Sequence, residues 1–185
     1  MKRLIIALAV IAILTSAMVP SVQAKKLILE PTKVATMTSP KESRDERVLI
    51  YFELPEKFEL SATEIDYAKL VFNAQVTDAI MGQIEVYPIT TSWENQESID
   101  WEHSWTKDGG DFSEDHAGKH LSIRSADGVK SVRCDVTYVV LAWLDGTIDN
   151  HGFILVPSQD DLTDSDVEYS IDTKGIQLVI NYSLD

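Results

Sequence analysis

The chain of 185 residues carries 30 Asp and Glu against 16 Lys and Arg, a formal net charge of −14. A surface of that sign repels the phosphates of nucleic acid and the headgroups of anionic membranes, so nucleic acid is set aside as a partner. A single cysteine, Cys134, leaves no partner for an intramolecular disulfide.

Residues 1–24 read as a secretory signal. Lys2 and Arg3 form a positive start, Leu4 to Leu14 is an uninterrupted apolar run of 11 residues, and Val22-Gln23-Ala24 places small residues where a signal peptidase reads. A bilayer-spanning helix needs about 20 apolar residues, so cleavage after Ala24 is expected, with no membrane insertion afterwards. No cysteine follows the apolar run, which speaks against a lipid anchor. Removing 24 of the 185 residues leaves 161, enough for one packed domain over 25–185, and the loss of Lys2 and Arg3 takes the charge from −14 to −16. The compartment is therefore expected to be secreted, periplasmic or cell-surface.

The mature sequence is a succession of short strand-like runs. Val48 to Phe52 comes first. Ala68, Leu70, Phe72, Ala74 and Val76 then alternate with Lys69, Val71, Asn73 and Gln75, the period of a half-buried strand. Gln83 to Ile89, His120 to Ile123, Ser131 to Val136, Phe153 to Val156, Val167 to Ile171 and Ile176 to Tyr182 follow, with turn residues between them. Cys134 falls on the same strand face as Val132 and Val136, which marks it as a small core residue. One short helix is expected where Val136, Val139, Val140 and Trp143 recur at helical spacing, capped by Asp135 or Thr137 and stopped at Gly146. Ser92 to Gly118 lacks either period and reads as one long loop, rich in tryptophan and acids, of the kind that binds or closes over a ligand. The pattern predicts an all-β protein, an antiparallel jelly-roll-like sandwich with one short helix plugging an end.

Several stretches resemble a known family. Thr91-Ser92-Trp93-Glu94 followed by Trp101, Cys134-Asp135-Val136-Thr137 followed by Val140, Trp143, Leu144 and Gly146, Asn150-His151-Gly152-Phe153, the final Ile176 to Tyr182, and Val48 to Leu54 are together similar to the DNRLRE domain family, which overlaps the family 96 carbohydrate-binding modules. The resemblance covers roughly Arg47 to Tyr182. It implies a jelly-roll sandwich, export, and a non-catalytic role beside enzymes or on cell surfaces, with some members binding alginate or related polysaccharides. Lys25 to Glu46 carries none of the family's early aspartate and asparagine-glycine turns, and Gly175 stands near where a proline is expected.

No catalytic signature occurs: no G-x-S-x-G elbow, no H-E-x-x-H, no glycine loop for phosphates, no C-x-x-C. The expected function is a non-catalytic binding module for a polysaccharide or cell-surface glycan, the alternative being a structural or adhesive envelope protein that binds protein. Sugar rings stack on flat aromatic faces, which makes Trp93, Trp101, Trp105 and Tyr87 the platform candidates. Trp93 and Trp101 coincide with the family-like motifs and equally suit pinning the loop to the sandwich. Trp105, among Ser104, Thr106, Lys107 and Asp108, is the candidate for an exposed ring. Asp160, Asp161, Asp164 and Asp166 crowd a short turn that would suit Ca²⁺, a hard ion taking oxygen ligands, or would be a solvated acidic turn. Asp108, Asp111, Glu114 and Asp115 form a second such cluster. His116 and His120 are four apart, but Ala117-Gly118-Lys119 between them argues against a shared helical face. With a negative surface, a neutral glycan is the easier ligand; a polyanion would need Ca²⁺ between the two sets of acids.

Overall fold

The computed structural model describes residues 23–41, 46–55, 64–77, 82–116, 121–123, 128–158 and 168–184. The expected signal over 1–24 lies outside these but for its last two residues, as do Asp160, Asp161, Asp164, Asp166 and His120.

In chain order the strands are β1 (Gln23–Leu29), β2 (Lys33–Thr38), β3 (Glu46–Tyr51), β4 (Ile65–Thr77), β5 (Gly82–Pro88), β6 (Leu121–Ile123), β7 (Lys130–Asp135), β8 (Phe153–Ser158) and β9 (Glu168–Leu184), with helix α1 (Thr137–Leu144) between β7 and β8. They form a four-stranded sheet in the order β1-β9-β4-β7 and a five-stranded sheet in the order β2-β3-β8-β5-β6. Every pairing is antiparallel. With the edge strand β2 set aside, the chain crosses between sheets so that β1-β9-β4-β7 faces β3-β8-β5-β6, the eight-stranded jelly roll.

Alternation builds the core between the sheets. In β4, Ala68, Leu70, Phe72 and Ala74 point inward and are almost fully buried, and in β9 Ile176, Leu178 and Ile180 do the same. Val48 and Ile50 of β3, Ile84 and Val86 of β5, and Phe153 and Leu155 of β8 meet them from the other sheet. Cys134 is fully buried in this core.

Two sequence expectations need correction. The runs at 167–171 and 176–182 are not two strands: Glu168–Leu184 is continuous, Val167 itself lying outside the described residues. Its partner on β4 jumps from Val71↔Gln177 to Asn73↔Asp172, so the turn-like Asp172-Thr173-Lys174-Gly175 forms a bulge, with Gly175 at φ +78°. The helix N-cap is Val136, in place of Asp135 or Thr137. Asp135 still serves the helix start from one residue earlier, since its Oδ1 accepts from the Thr137 backbone N–H at 3.0 Å and from the Thr137 hydroxyl at 2.7 Å. Ala68 N–H donates to Thr137 Oγ1 at 2.9 Å, which ties this end of α1 to β4. Val139, Val140 and Trp143 enter the core, and Gly146 (φ +75°) follows the helix in the left-handed conformation that ends it.

Strands β1 and β2 were not signalled by any strong alternation. Their existence follows from partners: β1 pairs with β9 over the full run from Gln23↔Leu184 to Leu29↔Leu178, and β2 pairs with β3 from Lys33↔Tyr51 to Thr38↔Glu46.

Candidate functional site

The five-stranded sheet is apolar on both faces. Leu49 of β3, Tyr87 of β5, Ile154 and Val156 of β8 and Met37 of β2 point away from the inter-sheet core and form a second core with Trp93, Trp105 and Ile89. A sheet face that apolar must be covered, and the long segment after β5 covers it. Its entry is fixed by an antiparallel bridge between Ile89 and Phe112, with Thr90 N–H donating to Asp111 O at 2.9 Å.

Three side chains hold the loop down. Trp93 is fully buried, and its indole N–H donates to the His151 carbonyl at 2.7 Å. Lys33 of β2 gathers the turn beneath it, its ammonium donating to the carbonyls of Trp93, Glu94 and Gln96 while sitting 5.2 Å from the Trp93 ring centroid. Arg47 of β3 donates to Gly109 O at 2.8 Å and lies over the half-buried Trp101 ring, 4.5 Å from its centroid.

Asp111 is the polar centre of the loop. Buried against the sheet, its carboxylate accepts from Thr91 Oγ1 (2.9 Å), Thr106 N (3.0 Å), Thr106 Oγ1 (2.8 Å) and Lys107 N (3.1 Å). Burial by itself would raise this carboxyl's pKa; the bonds from Thr106, Thr91 and Lys107 outweigh burial and hold it below the ordinary value. Because the folded pKa is depressed, the stabilisation is present above the unfolded value of about 3.9 and is lost as pH falls through the lower folded one. Glu94 behaves alike: burial raises it, but backbone N–H groups of Glu94 and Trp93, the Ser92 hydroxyl and His151 bring it down. Asp111→Ala is expected to cost about 1.5–3 kcal/mol in urea denaturation. Asp111→Asn should flatten the stability profile below about pH 4, where the parent loses the stabilisation of this carboxylate.

The sequence-nominated aromatics are structural in their contacts. Trp105, expected to be exposed, is 9% exposed. Its ring completes the second core, and its N–H is satisfied inside by Asp100 O at 2.9 Å, with Met37 Sδ 3.1 Å away. The polar residues around it are turn formers and carry no information on where the ring points. Tyr87 is buried and stacks on Phe112 at 4.8 Å between centroids. Trp101 is half-buried, one face taken by Arg47. Of the second acidic cluster, Asp108, Asp111 and Glu114 line one cleft, but each is differently engaged: Asp111 is occupied as above, Asp108 pairs with Lys41 at 3.5 Å, and Glu114 and Asp115 sit in a 3-10 turn that ends at His116. No group of three or more His, Cys, Asp or Glu is placed to hold a metal among the described residues.

What the loop creates is a cleft of about 450 Å³ between its return limb and the end of β5. Thr90, Thr91, Thr106, Lys107 and Phe112 line it together with Arg47, Gly110 and three acids, Asp108, Asp111 and Glu114. Hydroxyls, three carboxylates, an ammonium, a guanidinium and one aromatic ring are thus gathered on a braced frame. Of this site the sequence singled out only the acids Asp108, Asp111 and Glu114; the threonines carry no motif, and Arg47 and Phe112 reach it from different parts of the chain. A smaller recess of about 270 Å³, lined by Pro88, Thr90, Ser113, Thr147 and His151 among others, adjoins it through Thr90. No protein-family model matches the chain, and no curated protein matches its sequence.

Proposed function

We propose that the chain is an exported, non-catalytic binding module whose ligand is a carbohydrate, a polysaccharide or cell-surface glycan held in the cleft between the long loop and β5. The observation that carries this reading is the cleft's lining. Thr90 and Lys107 offer donors, Asp108 and the Thr91 and Thr106 hydroxyl oxygens, whose protons go to Asp111, offer acceptors suited to sugar hydroxyls, and Phe112 offers an apolar surface. Asp111 supports binding over proton transfer, since its oxygens are already occupied by four hydrogen-bond donors and its pKa is depressed. The acidity of the chain, −14 in sum, favours a neutral glycan.

Affinity gel electrophoresis of the full chain against a panel of neutral and acidic polysaccharides, with chelator present, tests this. One or more neutral glycans should retard the protein. Thr90→Trp, which fills the cleft from an exposed position, should abolish the retardation at an unchanged melting temperature. Passage of the parent through every gel, or retardation that survives Thr90→Trp, would refute the cleft as the site.

A further inference from the structure

The two broad faces of the sandwich differ in kind. The five-stranded sheet is capped by the long loop, whereas among the described residues none covers the outer face of the four-stranded sheet. On that face β1 contributes Lys26 and Ile28, β9 contributes Gln177, Val179 and Asn181, β4 contributes Tyr67, Lys69 and Val71, and β7 contributes Arg133 and Asp135. Ile28 is 46% exposed and Tyr67 39% exposed, both large for apolar side chains. Lys26 and Arg133 are exposed, and the Lys69 ammonium lies 4.6 Å from the Tyr67 ring centroid.

The register places the cations in a line. Lys26 and Tyr67 flank Asn181, Lys69 and Ile28 flank Val179 one row on, and Arg133 is opposite Val71 in the row after that. With strands about 4.8 Å apart and same-face rows about 6.8 Å apart, Lys26, Lys69 and Arg133 mark a diagonal about 20 Å long. Charges so far apart cannot converge on one small anion; they match a broad acidic surface. Asp135, the one acid among these positions, stands opposite Lys69 in the register, so three cations against one acid leave the face a formal +2.

The opposite side of the same molecule is such a surface. From Ser92 to His116 the loop holds eight acids against one lysine, a formal −7 with histidine neutral. Glu97, Glu102 and Asp108 are among those exposed on it. A cationic, partly apolar face on a chain of net charge −14 therefore has its complement on another copy of that chain.

We propose that the outer face of the four-stranded sheet docks the acidic long loop of a second copy, so that molecules stack front to back. The contact is heterologous: each copy keeps one free face of each kind, and the stack grows without closing. Four strands and three rows span a patch of roughly a few hundred Å², well under the 800 Å² or so per partner of a stable interface, so stacking is weak and needs high local concentration. The sandwich's net charge opposes it at long range. At about 0.1 M salt the screening length of about 10 Å removes most of that repulsion and spares the close pairs, whereas at 1 M, about 3 Å, the pairs are screened as well. The sheet face that docks lies opposite the cleft of its own copy, and the loop it receives carries part of the cleft's lining, Asp108 included; stacking rests on charge and not on the carbohydrate reading, and it gives the envelope-structural alternative a physical basis.

Sedimentation velocity on the full chain, across concentration and at both salt levels, tests it. The weight-average mass should rise with concentration past that of a dimer at about 0.1 M salt and return to the monomer at 1 M. Lys69→Gln with Arg133→Gln, both on the solvent side of the sheet, should weaken association about tenfold or more at an unchanged melting temperature. Glu97→Lys with Glu102→Lys should weaken it from the other face, and the Lys69/Arg133 variant added to the parent should shorten the stacks by capping them. A monomer at every concentration, a closed dimer indifferent to salt, or association that the Lys69/Arg133 variant retains would each overturn the proposal.

Discussion

Trp93→Ala is expected to lower the unfolding free energy by about 3–5 kcal/mol, the range for deleting a fully buried large aromatic. Two costs combine. The ring is fully buried in the second core, and its removal leaves a cavity in a cluster whose other members include Leu49 and Ile154, side chains fixed by the sheet on which they stand. The His151 carbonyl also loses the indole donor at 2.7 Å. Trp93→Phe separates the two, since it keeps most of the volume and loses the donor; about 1–3 kcal/mol is expected there. The loss should be local in character. The inter-sheet core does not include Trp93, so limited proteolysis should cut within 92–116 in the variant while the sandwich persists. Equilibrium denaturation with a loss below about 1 kcal/mol would show that the loop is not held by this residue.

Gly152→Ala is expected to cost about 2–5 kcal/mol, although it adds a single methyl group. A Cβ at Gly152 would lie 2.1 Å from the Ile50 carbonyl oxygen and 3.0 Å from Tyr51 Cα, backbone atoms of β3 that have no rotamer by which to yield. The residue also stands at φ +82°, in the left-handed region that costs an alanine about 1–2 kcal/mol. The turn it belongs to joins three strands. Asn150 Nδ2 donates to Phe52 O at 2.9 Å, Gly152 N–H donates to Asn150 Oδ1 at 3.1 Å, and Ile89 N–H donates to Gly152 O at 3.0 Å. Displacing Gly152 from β3 therefore disturbs the end of β5, from which the cleft is built. Gly175→Ala is the control: it too has positive φ, at +78°, but nothing lies within 4 Å of an added Cβ, so only the conformational cost of about 1–2 kcal/mol should appear. Equal losses at the two glycines, in thermal or urea denaturation, would show that the close approach of β3 adds little to the conformational cost.

Both variants bear on the cleft through its frame. The lining side chains come from β3, the end of β5 and the return limb of the loop, and Trp93, Asp111 and Gly152 set where those segments meet. Glycan retardation lost in Trp93→Ala but kept in Gly175→Ala would place the ligand on the loop side of the sandwich.

Alternation along Ala68 to Val76 was enough to establish β4, because a strand buried on one face repeats its apolar residues every second position wherever it lies in the fold. The same local logic set Cys134 in the core and ended α1 at Gly146, where helical spacing meets a residue free to adopt positive φ. Strands β1 and β2 lacked that signature, and only their partners β9 and β3 make them strands. Asp172 to Gly175 looked like a turn because its residues favour one; pairing on both sides with β4 turned it into a bulge. The direction of Trp105 was beyond local reading, since what buries it is Met37, 68 residues earlier on a different strand. The cleft, the second core and the opposed charge of the two faces share that origin. Each depends on which distant segments the sheet order brings together, and that order is decided by burial summed over the whole sandwich, which no short window of sequence contains.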